Sequence, residues 1–185
     1  MFRTLAAFVL GLALVAAAPA MKASAATTVP AGNILVLQLK DGLVKIRLDE
    51  KNAPRHAERL KTLASEGFYN GVVFHRVIDG FMAQTGDPTG TGSGGSSLPD
   101  LKAEFSSVPF QRGTVGMARA QSPDSANSQF FIMFAPGDFL NGKYTVVGQV
   151  VSGMQYVDAI KKGDEANNGM VNAPDKIIKA WVADK

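Results

Sequence analysis

Two hydrophobic rhythms divide the chain beyond residue 33. Leu35, Leu37 and Leu39 occupy every second position, Val44, Ile46 and Leu48 do the same, and Asp41-Gly42 between them is a hairpin turn signal. This pattern predicts an antiparallel hairpin with one face buried. The rhythm then changes: Pro54 opens a segment in which Ala57, Leu60, Leu63 and Ala64 recur at helical spacing, and Gly67 is a natural stop. A helix over 54–66 is predicted. Short apolar runs at 72–78, 113–118, 129–134 and 144–151, each bounded by Gly, Pro, Asn or Asp, read as further strands. Met154, Val157 and Ile160 mark a second helix ending near Gly163, and Ile178, Ala180 and Val182 alternate in a last strand over 176–183. Two isolated helices among many short strands do not make the regular alternation of a parallel sheet. The fold class expected is mainly β, an antiparallel barrel with two helical caps.

Length and composition then narrow the picture. With 185 residues, 46% hydrophobic and 19% charged, the chain suits one domain. Residues 1–25 stand apart: Arg3 gives a positive start, Leu5 to Ala18 an apolar stretch shorter than a spanning helix, and Ala23-Ser24-Ala25 or Ala18-Pro19-Ala20 a cleavage site. They read as a signal peptide. Residues 26–32 are then a short polar lead, and 33–185 the working domain. The full chain carries a net charge of +3. Cleavage after Ala25 removes Arg3, Lys22 and no acidic residue, leaving +1. That balance points to no nucleic-acid partner and no stable membrane anchor after cleavage. The absence of cysteine excludes disulfides and thiol nucleophiles, and with a signal peptide it fits the periplasm, with release into the medium left open.

Several chemistries lack support. Thr85 to Asp100 is rich in glycine and matches Gly-x-Gly-x-x-Gly at Gly90, Gly92 and Gly95, but Ser96, Ser97, Leu98 and Pro99 continue the loop where a dinucleotide site needs a helix. His56-Ala57-Glu58 resembles half of a zinc deaminase signature whose cysteine pair is missing. His75 is expected to be a hydrogen-bonded core residue, since nothing near it resembles a nucleophile elbow.

The informative block runs from Phe74-His75-Arg76 through Ile78 to Gly80-Phe81-Met82-Ala83-Gln84. A strand with Phe74, Arg76 and Ile78 on one face sets a guanidinium among apolar side chains, which is costly unless something pairs with it. It is either a structural ion pair or a donor kept for a ligand. A second block, Gly116-Met117-Ala118-Arg119-Ala120 and then Asn127-Ser128-Gln129-Phe130-Phe131-Ile132, repeats the theme. Arg76, Gln84 and Gln129 together with Phe81, Met82 and Phe131 suggest an apolar cleft with few polar groups.

At these two blocks the chain resembles the cyclophilin family, and the resemblance spans the strand at Asn33 to the strand at Lys176. It implies a closed eight-stranded antiparallel β-barrel capped by two helices, with peptide bound in an outer groove. It implies peptidyl-prolyl cis/trans isomerase activity on proline-containing segments of folding exported proteins, by a monomer needing no metal or cofactor. By the same resemblance Arg76 is the catalytic residue, and Phe81, Met82, Phe131 and Leu140 line a proline pocket. Gln84 and Gln129 match groove positions, and the main chain of Ala118 and Arg119 matches the strand that pairs with substrate. Phe139 and Tyr144 depart from the Trp and His of many eukaryotic members. The missing indole N–H makes weak cyclosporin binding the expectation at Phe139; Tyr144 still offers a hydroxyl and an aromatic wall. Binding without turnover would use the same groove, and the residues alone leave both readings open.

Overall fold

The computed structural model describes residues 32–184. The signal-peptide reading, and all of the lead except Gly32, lie outside the described residues. Eight strands follow in chain order: β1 Ile34–Gln38, β2 Leu43–Leu48, β3 Arg76–Ile78, β4 Met82–Thr85, β5 Thr114–Met117, β6 Phe130–Met133, β7 Val146–Ser152 and β8 Lys179–Ala183. Helix α1 covers Pro54–Ser65 and helix α2 covers Met154–Asp158. The strands form a single antiparallel sheet in the order β3-β4-β6-β5-β7-β2-β1-β8.

The first hairpin follows its pattern. Leu35 pairs with Ile46 and Leu37 with Val44, all four fully buried, while Leu43, Lys45 and Arg47 point outward. Leu39 N–H bonds the Gly42 carbonyl to close the turn. Helix α1 starts with Pro54 at its first position and ends in a Schellman motif. Gly67 takes a left-handed φ of 75°, its N–H reaches the Ala64 carbonyl, and Phe68 N–H reaches that of Leu63. Ala53 offers no capping side chain. Glu104 supplies the cap from across the molecule, accepting from the backbone of Arg55 and His56 and from His56 Nδ1 at 2.6 Å. Burial of His56 lowers its pKa in spite of Glu104, which favours the neutral ring.

The sheet curls around one large apolar cluster, to which β1, β2, β4, β5, β6 and β7 give alternate side chains and α1 adds Leu60 and Leu63. Four differences from the sequence reading emerge. The ladder is an open, curled half-barrel rather than a closed one, because β3 and β8 are its two ends and do not pair. The gap is bridged only by the irregular segments before them, where Val73 faces Lys176 and Phe74 N–H bonds the Asp175 carbonyl. Strand β3 is three residues long, and Phe74 lies before it in the inner cluster, off the face that carries Arg76 and Ile78. Helix α2 stops at Asp158, well short of Gly163, although Ile160 is still buried. His75 is buried as expected, but neither ring nitrogen makes a hydrogen bond of normal geometry; the Val73 carbonyl interacts with it only weakly.

Beyond β3 a short arm, residues 163–171, takes the place of a ninth strand. Val77 N–H bonds the Gly169 carbonyl, Gly163 N–H bonds the Val77 carbonyl and Val171 N–H bonds the His75 carbonyl.

Candidate active site

Strand register builds the site. Arg76 pairs with Gln84, Gln84 with Phe131, Phe131 with Gly116 and Gly116 with Val146, so one continuous row crosses five strands on the outer face. A second row, Ile78–Met82–Met133, runs beside it. These residues seed a smaller apolar cluster of Met82, Phe110, Phe131, Met133, Leu140 and Val146. Gly116 makes room for the floor: a Cβ there would collide with the rings of Phe131 and Phe110. Phe110 stacks under Phe131 at 5.7 Å between centroids, and Tyr144 meets Phe131 edge-on at 6.0 Å.

The resulting cleft, about 270 Å³, is lined by Arg76, Phe81, Met82, Gln84, Ala118, Arg119, Phe131, Phe139, Leu140 and Tyr144. The structure thus brings together every site residue expected from sequence except Gln129. Gln129 lines an adjoining, more polar cleft of about 570 Å³ that shares Gln84, Ala118 and Arg119 with the first. Phe139 is 63% exposed and leans on Phe81 at 5.5 Å, forming an aromatic lip. Arg119 lies 4.5 Å from the Tyr144 ring centroid, and its terminal nitrogens donate to the carbonyls of Ala120, Gln121 and Lys143. The Ala118 N–H is taken by the Gln129 carbonyl.

Arg76 stands beside Gln84 on the rim of the cleft. Its Nη1 donates to Gln84 Oε1 at 3.2 Å, its Nε to the Asn168 carbonyl at 3.0 Å and its Nη2 to Asn168 Oδ1 at 2.9 Å. One hydrogen on each terminal nitrogen is left without a protein partner among the described residues. Burial draws its pKa below the usual arginine value, yet a guanidinium stays protonated in proteins. Its hydrogen-bond partners are neutral, so the structural ion pair that sequence left open is not what holds it. The positive charge faces the cleft unneutralised.

Gln84 continues the network, donating through Nε2 to Gln129 Oε1 at 2.9 Å, and Gln129 Nε2 donates to the carbonyls of Gly92 and Gly94. Those glycines belong to the loop with the dinucleotide-like spacing, several of whose amides are already engaged. Asp87, fully buried, accepts from the backbone N–H groups of Thr89, Thr91, Gly92 and Gly94 and from Thr89 Oγ1. Burial opposes its ionisation, but those hydrogen bonds outweigh it and bring its pKa to about 2. A loop that turns these four amides onto its own carboxylate does not offer them to a phosphate. Sequence reasoning noted Gly86-Asp87 after the first block but gave Asp87 no role, and it missed Phe110 and Asn168, for which the Asn168-Gly169 turn signal was a local clue.

Comparison with known proteins agrees with this geometry. The profile of the family described as "Cyclophilin type peptidyl-prolyl cis-trans isomerase/CLD" matches residues 34–182. The "Probable peptidyl-prolyl cis-trans isomerase" of Brucella suis is 61% identical over 161 residues, covering 81% of this chain and 82% of the relative. A Cryptosporidium parvum cyclophilin-type isomerase, crystallised in the presence of the dipeptide Ala-Pro, superposes with a TM-score of 0.75 at 27% identity, covering 82% of this chain and 99% of that one. The cyclophilin AquaCyp293 of Hirschia baltica gives a TM-score of 0.73 at 25% identity, covering 83% and 75%. The chain belongs to the cyclophilin-type peptidyl-prolyl cis-trans isomerases. Isomerase activity, rather than binding alone, is therefore its function.

Proposed function

We propose that the outer cleft accelerates X-Pro rotation in exported polypeptides, with Arg76 as the catalytic residue and the protein working in the periplasm after loss of residues 1–25. The observation that carries the site assignment is an unneutralised guanidinium at the rim of a cleft whose floor and wall are Phe81, Met82, Phe131 and Leu140. Peptide rotation is opposed by a barrier of about 18–20 kcal/mol, because the nitrogen lone pair is delocalised into the carbonyl. As the bond twists, nitrogen becomes pyramidal and accepts hydrogen bonds better. A free N–H of Arg76 then binds the twisted state more strongly than the planar one, which is the condition for catalysis. Phe81, Met82, Phe131 and Leu140 hold the ring while the acyl side turns, and the fixed donor needs little reorganisation. Gln84 holds Arg76, Gln129 steadies Gln84, the Ala118–Arg119 main chain borders the substrate path, and Phe139 and Tyr144 form its walls. No proton is transferred and no covalent bond is broken.

A protease-coupled assay on a prolyl peptide tests the reading. Arg76→Ala should lower kcat/KM by about 2.7–4 kcal/mol, roughly a hundredfold to a thousandfold, with peptide affinity much less affected. Arg76→Lys should recover little, since an ammonium lacks the planar fork. A folded Arg76→Ala protein that isomerises normally removes Arg76 from the mechanism. The export reading rests on the charged start, apolar stretch and Ala23-Ser24-Ala25. Mass spectrometry of periplasmic protein should find a start near Ala26, and a species retaining residues 1–20 overturns it.

A further inference from the structure

We propose that Asn168 is a positioning residue that fixes the plane of the Arg76 guanidinium. The inference rests on the reading of Arg76 as the donor. Gln84 touches that group at one point, 3.2 Å away, and a single point leaves the fork free to swivel. Asn168 holds it at two, through its backbone oxygen to Nε and its side-chain Oδ1 to Nη2. Two parallel contacts define a plane.

The chain spends conformational energy to place them there. Asn168 has φ 53° and ψ 32°, a left-handed conformation that asparagine tolerates better than other side-chain-bearing residues. Gly169 follows at φ 77°, against Ile78 and the Val77 main chain, where a Cβ would not fit. Asp164 shapes the turn from inside: its Oδ1 accepts from Ala166 N–H and its carbonyl from Gly169 N–H. The arm is anchored to the strand that carries Arg76 by hydrogen bonds to both the N–H and the carbonyl of Val77. Donor and brace therefore move as one body. Glycine would satisfy the backbone at 168 but supply no Oδ1; asparagine satisfies both.

Asn168→Gly separates these demands, since it keeps the turn and the backbone acceptor while deleting Oδ1. In the prolyl-peptide assay on the whole protein, kcat should fall about tenfold, the loss of one hydrogen bond to a charged group, while KM stays within about twofold. In an Arg76→Ala background the same substitution should cost nothing further. On the unaltered protein, nitrogen-15 NMR should show restricted rotation about the Arg76 Cζ–Nη2 bond, lost in Asn168→Gly, while the Nε–H, still bonded to the residue 168 carbonyl, exchanges slowly in both. An unchanged kcat, a rise in KM in its place, an equal loss in the Arg76→Ala background, or a freely rotating guanidinium in the native protein overturns the assignment. If Arg76→Ala alone leaves isomerisation intact, the reading of Arg76 fails. If it abolishes isomerisation while Asn168→Gly does nothing, only the role of Asn168 fails.

Discussion

The two faces of β6 make opposite use of neighbouring residues. Phe130 and Ile132 enter the inner cluster, whereas Phe131 and Met133 enter the outer one, and all four are buried. The inner cluster draws on every strand and on both helices, and its members are apolar apart from the Tyr69 hydroxyl, which donates to the Ser128 carbonyl. The outer cluster is smaller and is bordered by Arg76, Gln84 and Tyr144. Packing on the inner face answers only to stability. On the outer face the same strands must leave a gap, and Gly116 lets the Phe131 and Phe110 rings settle beneath it. A one-residue step along a strand thus separates folding from chemistry.

Adjacent substitutions in β6 put the largest effects on this contrast. Ile132→Ala should cost about 2–5 kcal/mol in denaturant unfolding, with activity per folded molecule unchanged. Phe131→Ala should lower both peptide affinity and kcat/KM by about tenfold or more, because it opens the pocket wall, and calorimetric titration with a prolyl peptide reads the affinity. Equal activity losses in the two folded variants would erase the distinction between faces. Gly116→Ala tests the gap from the other side. Its methyl group should push against Phe131 and Phe110, costing about 1–3 kcal/mol of stability and shrinking the pocket, so peptide affinity falls although no contact residue is removed.

Acid sharpens the same comparison, since Asp87 organises the loop beside the groove while the inner cluster contains no carboxylate. Its folded pKa is depressed from 3.8 to about 2, so its contribution is complete above the unfolded value and is lost as pH falls through about 2. That is about 2 kcal/mol of stability. Glu104, Asp158 and Asp175 are also shifted down, so the native curve is composite. The difference between native and Asp87→Asn unfolding curves should shrink between pH 5 and pH 2; a constant difference counts against the loop's dependence on that charge. The smallest effect concerns the lip. Phe139→Trp should tighten cyclosporin binding by about 1–2 kcal/mol through an added N–H and larger ring, measured by inhibition. Native protein that already binds as tightly shows that the lip is not the determinant.

The contrast between faces also explains what could be read from sequence. Strands β1 and β2 have one wet face at β2, so Leu43 to Leu48 alternate strictly and both strands were legible. Strand β4 has both faces occupied: Met82 enters the outer cluster, Ala83 the inner one, Gln84 the site, and Thr85 bonds the Val73 carbonyl. Four residues with four environments leave no period, and this strand was not recognised from its pattern. Phe74 was set on the face of Arg76 because an unbroken strand was assumed over 72–78, whereas the backbone leaves the ladder before Arg76. The site residues themselves were legible as types, through a polar minority among aromatics and through family resemblance. Their fastenings were not. Glu104 caps a helix 48 residues away, and Asn168 reaches Arg76 across 92. No local rule links positions so far apart.

The arm over β3 has a further consequence. An incomplete barrel offers two sheet edges, and a bare edge invites strand addition by any extended chain. Proline-containing peptides, on which isomerases of this class act, are such chains when extended. Here the 163–171 backbone takes the hydrogen bonds of Val77. At the other end, Ala180 N–H is taken by the Asn70 side chain and Ile177 N–H by the Val72 carbonyl. With these edge groups satisfied internally, a peptide is steered to meet the protein through side-chain pockets, where it can leave after one turn of the bond, instead of annealing at these positions.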